Sequence, residues 1–376
     1  MSKTTRHVEC SADRTMFVAL ELGACSWRLA VGTDRQDGVR EYAVKAGDLG
    51  AVWAKLERAR AHWGLAASTP VVSCYEAGRD GFWVHRALTA RGIRNLVLDA
   101  TSIERDRRAK VVKTDRVDAA RLLELLQLGC AGRKRLREVR VPSVEEEDAR
   151  HREREYSGVQ AARTAVTNRM TSLLVAQGIR LRMGRGFAAA LAQARTGDGH
   201  ALPPQLHGRL TRDWAAVEAL TARLAGLEAA RHQTVRTDAG AAQTRALVQL
   251  RGIGERSAAV FVTELFAWRA FRNGREVGAV TGLAPAPYQS GQQARDQGIS
   301  KAGNWRVRTM AVEIAWCWLQ FQPESALARW YQGRFGGGSA RQRRIGIVAL
   351  ARKLLIALWR YVDAGVIPDG ARLKTA

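Results

Sequence analysis

The chain has 376 residues, 46% of them apolar, which is enough to bury two or three cores and too much for a disordered protein. Its 60 lysines and arginines against 36 acidic residues leave a net charge of +24 and a pI near 11.0, spread along the chain rather than gathered in one tail. That balance points to a polyanionic partner, nucleic acid ahead of a ribosomal or membrane surface.

The start, "MSKTTRHVECSADR", lacks the apolar core of a signal peptide, and the apolar late stretch "IGIVALARKLLIALWRYV" is interrupted by Arg352 and Lys353, so no membrane passage is expected. Cys10, Cys25, Cys74, Cys130 and Cys317 stand far apart without a CxxC pair, which reads as packing cysteines in a reduced, cytoplasmic setting.

From Thr15, "TMFVALELGACSWRLAVGT" predicts strand, tight turn, strand, and "REYAVKAG" a third strand. The helix "DLGAVWAKLERARAHWGL", the strand "PVVSCYEAG", the helix "DGFWVHRALTARGI" and the strand "RNLVLDA" follow, then "VVKTDRVDAARLL", which opens another helix. Three antiparallel strands followed by strand–helix units predict an α/β domain over residues 1–145 with a mixed central sheet, in the ribonuclease-H-like order. Other mixed α/β folds fit the same periodicity.

Residues 146–240 change character. Tyr156, Val159, Ala162, Val166, Met170 and Leu173 make one apolar stripe, and Trp214, Val217, Leu220, Leu224 and Leu227 a second, after the connector "RTGDGHALPPQLHG". The pair predicts a helical hairpin or coiled coil, used either for packing within the chain or as a dimerisation arm.

The last region, 241–376, is predicted to be mostly helical. In "ALVQLRGIGERSAAVFVTELF" the turn at Gly252 and Gly254 between two apolar helical runs has the pattern of a helix-hairpin-helix element, whose turn amides can hold a phosphate. The Gly, Ser and Arg content between Tyr288 and Arg308 predicts an irregular loop rich in donors, and an apolar helix closes the chain.

Within this basic chain four carboxylates form an ordered set. Glu21 ends the first strand, Glu76 ends the strand "VVSCYE", and Asp115 and Asp118 share a helical face at i and i+3. In a ribonuclease-H-like sheet these positions converge, and carboxylates around one point call for Mg²⁺ or Mn²⁺ between them. Two such ions would clamp the attacking and leaving oxygens of a phosphodiester. Taken singly, each carboxylate reads as structural, Asp115 as a helix cap and Asp118 in the first turn of a helix; the ordered set of four is what favours the metal reading.

Several blocks resemble a known family. "VALELGACSWRLAV", "YEAGRDGFWVHRALTARGI" and "VVKTDRVDAARL" are similar to the N-terminal blocks of the DEDD transposases of the bacterial IS110 family. "LRGIGERSAAVFVTEL", "FRNGREVGAVTGLAP" and "SGQQARDQGISKAGNWRVR" are similar to their C-terminal blocks. The resemblance covers most of the chain and implies a RuvC-like domain joined by a coiled coil to a C-terminal transposase domain.

It also implies Glu21, Glu76, Asp115 and Asp118 as metal ligands, with Glu21 where the family usually has Asp, and Lys113 beside them to steady a phosphate. Ser290 matches the family's nucleophilic serine, which completes a composite site with a partner subunit and forms a phosphoserine link; Ser300 is its competitor. Arg295, Lys301, Arg306 and Arg308 are placed to stabilise charge on the reacting phosphate. The resemblance further implies a homo-oligomer and a non-coding guide (bridge) RNA beside the element-end and target DNA. Trp305 and Trp330 are candidates for stacking on bases. Two other functions fit the residues: a hydrolytic RuvC-like junction resolvase with water as nucleophile, and a non-catalytic nucleic-acid-binding protein.

Overall fold

The structure, a computed structural model, describes residues 14–35, 38–99, 115–290 and 293–374. The chain divides into two compact units, 1–142 and 143–376.

The first unit is built on five strands, β1 (Met16–Leu22), β2 (Ser26–Thr33), β3 (Arg40–Lys45), β4 (Val71–Glu76) and β5 (Arg94–Leu98), in the spatial order β3-β2-β1-β4-β5. β2 pairs antiparallel with β1 and β3, whereas β4 lies parallel to both β1 and β5. Helix α1 (Leu49–His62), capped by Asp48 through its bond from the Ala51 amide, makes the crossover that a parallel pairing needs; α2 (Trp83–Thr89) makes the next. The run "MFVAL" is buried throughout, as a central strand covered on both faces must be, while the edge strand β3 is largely exposed.

Alternation assigns the two faces. Val18, Leu20, Leu29 and Val31 pack with Val52 and Leu56 of α1 and with Val84 and Leu88 of α2. Phe17, Ala19, Ala30, Val72 and Cys74 face the other way, onto Ala119, Leu122, Leu123 and Leu126 of α3 (Asp115–Cys130).

The second unit begins with α4 (Val144–Val175), opened by a capping box between Ser143 and Glu146. A short α5 (Phe187–Ala192) leads to α6 (Pro204–Thr237), which runs antiparallel to α4: Arg169 pairs with Asp213, Glu155 with Arg223 and Arg152 with Thr234. The two stripes read from the sequence largely meet in this pair, Tyr156 and Val159 with Leu224, and Val166, Met170 and Leu173 in the cluster of Val217, although Ala162 is exposed.

Helices α7 (Ala242–Gln249), α8 (Glu255–Phe261), α9 (Gly274–Val280), α10 (Trp305–Phe321), α11 (Ala326–Tyr331) and α12 (Ala340–Ala364) surround one core that includes Phe261, Leu265, Trp318 and Leu354. Trp318 is fully buried and its indole N–H donates to Ser325 Oγ at 2.9 Å, so the largest side chain of the core leaves no orphan donor. No described helix is long and apolar enough to cross a membrane.

One expectation needs correction. The stretch after Tyr288 is not an irregular loop: β6 (Pro285–Ser290) and β7 (Gln293–Ile299) form an antiparallel hairpin before α10 starts at Trp305. β6 carries two prolines and neither strand alternates apolar with polar residues, so the period-2 signal is absent. Pro287 sits where the register shifts, a place where a missing amide donor is tolerated.

Candidate functional site

Glu21 and Glu76 stand one position beyond the last aligned pair of the parallel β1–β4 ladder, Leu20 with Tyr75. Neighbouring strands lie about 4.8 Å apart and in-register residues of a parallel pair share a face. The alternation places both glutamates on the face that carries Phe17, Ala19, Val72 and Cys74, which is the side covered by α3. Across the other ladder, Arg28 of β2 is paired with Glu21.

The direction of α3 follows from two contacts. Gln127 Nε2 donates to the Thr33 carbonyl at 2.9 Å, and Thr33 is paired with Met16 at the start of β1. The Cys74 thiol lies 3.7 Å from the Leu122 carbonyl, midway along β4. The helix therefore runs against β1 and β4, with its first turn toward the strand ends. From Leu122 back to Asp118 is four residues, about 6 Å of helix; from Cys74 to Glu76 is two residues, about 6.6 Å of strand. Asp118 thus reaches the level of the two glutamates, and Asp115 begins the helix one turn earlier.

Three of the four predicted ligands are brought to one end of one sheet face by this arrangement, and the fourth heads the same helix; Lys113 lies outside the described residues. The donors suit a hard divalent cation, since all are carboxylates, and neither Glu76 nor Asp118 has an ion-pair partner among the described residues of a chain with 60 basic side chains. Among the described residues no group of three or more acidic, histidine or cysteine side chains is drawn close enough to hold a metal.

In the second unit, Ser290 closes β6 opposite Gln293, at the end of the hairpin. Ser300 follows β7 at the other end, where its amide donates to the Ala284 carbonyl. The two serines thus stand at opposite ends of the hairpin, six residues of strand or about 20 Å apart.

The hairpin base is held firmly. Lys301 adopts φ 56° and donates its amide to Gly282, while Asn304 donates its amide to Val280. Gly282 and Gly303, both at positive φ, are needed for this crossing, because a Cβ would stand 2.2 Å from the Ala302 carbonyl and 2.0 Å from the Val280 carbonyl.

The candidate basic residues divide. Arg295 is paired through its backbone with Tyr288 in the β6–β7 ladder. Arg308 is bonded to the Thr281 carbonyl at 2.9 Å, and the Arg306 guanidinium lies over the Trp305 ring at 4.7 Å. Trp305 is 54% exposed, so its ring faces solvent with the Arg306 guanidinium over it. Trp330 instead packs edge-on against Phe335, with Lys353 over its ring.

Between α7 and α8 the turn has the predicted shape, with Gly252 at φ 85° packed against Phe321 and Gly254 capping α8. Its amides are largely committed: Arg251 to Arg372, Ile253 to Leu250, and Gly254 to Ser257 Oγ.

Sequence reasoning missed the group that positions the hairpin exit. Glu264, 1% exposed in a π-helical turn after α8, accepts from Arg154 Nε at 2.7 Å and Nη2 at 3.0 Å, and from Asn304 Nδ2 at 3.0 Å. Asn304 Oδ1 in turn caps α10. Burial alone would raise the Glu264 carboxyl, but the Arg154 fork, with Asn304 and Arg150, outweighs it and holds the group below the ordinary carboxylate range. A partner 110 residues away leaves no mark in the local sequence, although an Asn directly before the helical run from Trp305 is the signal that could have found the cap.

Comparison with known proteins gives consistent matches. Residues 244–330, from α7 to α11, match the family described as Transposase IS116/IS110/IS902. A putative transposase of Sinorhizobium fredii is 38% identical over 379 residues, covering 96% of this chain and 95% of its own length. A probable family 20 transposase of Pseudomonas aeruginosa is 32% identical over 256 residues, 67% of this chain and 73% of its own. The transposase for insertion sequence element IS1328 of Yersinia enterocolitica is 30% identical over 207 residues, 54% and 60% of the two chains.

Proposed function

Because the chain belongs to the IS116/IS110/IS902 transposase family, we propose that it cuts and rejoins DNA at insertion-sequence ends and at a target, with Glu21, Glu76, Asp115 and Asp118 as the metal-binding set of a RuvC-like, ribonuclease-H-like domain. The observation that carries the reading is the alignment of Glu21 and Glu76 on one face at adjacent parallel strand ends, with Asp118 on the helix that crosses at their level.

Bound Mg²⁺ or Mn²⁺ would polarise the phosphodiester and favour an ionised nucleophile. The protein's own contribution is to hold the carboxylates in place through packing of α3 on the sheet. Ser290 is the nucleophile in this reading. Its Oγ forms a bond to phosphorus as the bond from phosphorus to the leaving sugar oxygen breaks; the hydroxyl proton passes to a base and the leaving oxygen takes up a proton. The phosphoserine link conserves the bond energy for rejoining. A bridge RNA supplies sequence choice by base pairing, a homo-oligomer supplies the composite site, and the excess positive charge suits both nucleic acids.

The test incubates the full chain with element-end DNA, target DNA and RNA transcribed from the element flank, with Mg²⁺ or with EDTA, and with RNA omitted in one arm. Joined products and a covalent protein–DNA adduct are expected only with metal and RNA. Ser290→Ala removes the adduct and the joined product. If Ser290→Ala leaves nicked DNA forming at the normal rate and no adduct is ever seen, the chain is a hydrolytic resolvase instead.

A further inference from the structure

Helices α9 and α12 of the second unit enclose an open-sided cavity of about 490 Å³ lined by Asn273, Gly274, Arg275, Arg352, Ile356 and Arg360. Three of its six lining residues are arginines and none is acidic. Among the described residues no ion pair reaches Arg275, Arg352 or Arg360. Glu276, the nearest carboxylate in sequence, is turned away to accept the Arg272 amide at 2.9 Å.

Two glycines shape the place. A Cβ on Gly274 would stand 2.8 Å from Ile356 Cγ2, and one on Gly278 would stand 2.8 Å from Arg352 Nε. One turn apart on α9, they let α12 approach closely and seat the stem of Arg352 against α9. The Arg352 Nε is sealed from solvent without an acceptor, a costly state for a cation unless something else on its guanidinium compensates. Asn273 spends its carbonyl oxygen on the Arg275 and Glu276 amides, which leaves only its amide N–H group to offer.

We infer that this cavity is a phosphate-binding pocket for the backbone of a nucleic acid, distinct from the carboxylate set of the first unit. Three guanidiniums and one amide are donors only, so the complementary occupant is an acceptor-rich anion, and guanidinium forks match two phosphate oxygens at once. The volume lies in the range that holds a nucleotide-sized group rather than a lone ion. Ile356 supplies an apolar wall on which a sugar can rest. The inference rests on the reading of the chain as a transposase, which makes DNA and RNA the two sources of such a phosphate.

The test measures binding of the full chain to a DNA duplex and to an RNA hairpin across a salt series, by fluorescence anisotropy. The variant is Arg275→Gln with Arg360→Gln, both exposed positions; the charge-matched control is Arg180→Gln with Arg182→Gln. The pocket variant is expected to bind at least one of the two nucleic acids about tenfold more weakly and to lower the salt slope by about one per lost contact, with an unchanged melting temperature. The arm that weakens identifies the source. Arg352→Lys, which keeps the charge and loses the fork, should lie between the two. Inorganic pyrophosphate should raise the melting temperature of the wild type and not of the pocket variant.

Losses equal to those of the control, or no loss in either arm, would overturn the pocket. These are binding measurements, so they stand apart from metal-dependent cleavage. Loss of cleavage in Asp118→Asn with intact binding supports the proposed function without touching the pocket.

Discussion

Glu153 and Glu264 of the second unit are 2% and 1% exposed and are both met by arginines, whereas Glu76 and Asp118 of the first unit are half-buried at the end of a sheet with no cation beside them among the described residues. A chain with 60 basic residues does not lack partners for its acids. In the second unit Glu153 ties α4 to α6 and Glu264 ties α4 to the C-terminal core, where leaving either acid unpaired would be costly. In the first unit Glu76 and Asp118 stay half-buried at the level of the central strand ends, without an ion pair among the described residues. The comparison teaches that pairing, more than burial or residue type, separates structural acids from candidate chemical ones here.

The largest expected effect tests the first unit. Asp118→Asn keeps the size of the side chain and removes a charge that packing does not need, so strand cleavage should fall by roughly a thousandfold, from several kcal/mol of lost charge stabilisation. The urea midpoint should stay where it is. Unfolding of this variant at lower urea would make Asp118 a structural residue and erase the contrast.

How far each side of this contrast was legible follows from range. Glu21 and Glu76 were readable because apolar runs announce strands, and the order of strands and helices fixes which strand ends become neighbours. The pair at 115 and 118 was readable from local spacing. The Glu264–Arg154 link joins positions 110 residues apart, and nothing in "VFVTELF" marks its one acid as buried. The β6–β7 hairpin was missed for another reason, since two prolines in β6 and the lack of apolar–polar alternation in either strand give no strand signal. The turn at Gly252 was legible as a turn, but the bonds that occupy its amides come from Leu250, Ser257 and the distant Arg372.

The next effect belongs to the second unit. Glu264→Gln leaves Arg154 facing a neutral group beside Arg150, and should cost about 3 kcal/mol of stability, read as a lower urea midpoint. It should also loosen the α10 cap, because Asn304 loses an ionised acceptor. A neutral outcome would mean the fork is dispensable.

A smaller effect appears in the pH dependence, where the two buried acids oppose each other. Glu264 has a depressed folded pKa, so its stabilisation is complete above the unfolded carboxyl value, about 4.3, and is lost as the pH falls through the folded value. Burial pushes Glu153 up, against the pull of Arg231 and Arg152. A raised acid penalises the folded state once ionised, so its stability contribution declines as pH rises from the unfolded to the folded value. Urea midpoints taken from about pH 3 to pH 8 should therefore lose part of their acid limb in Glu264→Gln. In Glu153→Gln the decline on the alkaline side of the unfolded value should disappear. Profiles of the same shape as wild type in both variants would show that neither carboxyl is shifted.

The smallest effect is the sharpest control on the argument. Arg169 and Asp213 form the same fork as Arg154 and Glu264, with Nε at 3.1 Å and Nη2 at 2.8 Å from the two carboxylate oxygens, and the bond to Arg169 lowers the Asp213 carboxyl. The difference is solvent: Arg169 lies on the outer surface of the α4–α6 pair, where water competes for both partners and salt screens them. Asp213→Asn should leave the urea midpoint unchanged within error, and whatever loss there is should vanish at high salt. If it costs as much as Glu264→Gln, fork geometry alone sets the strength of these pairs. The absence of a fork at Glu76 and Asp118 would then say little about why those two acids were left open.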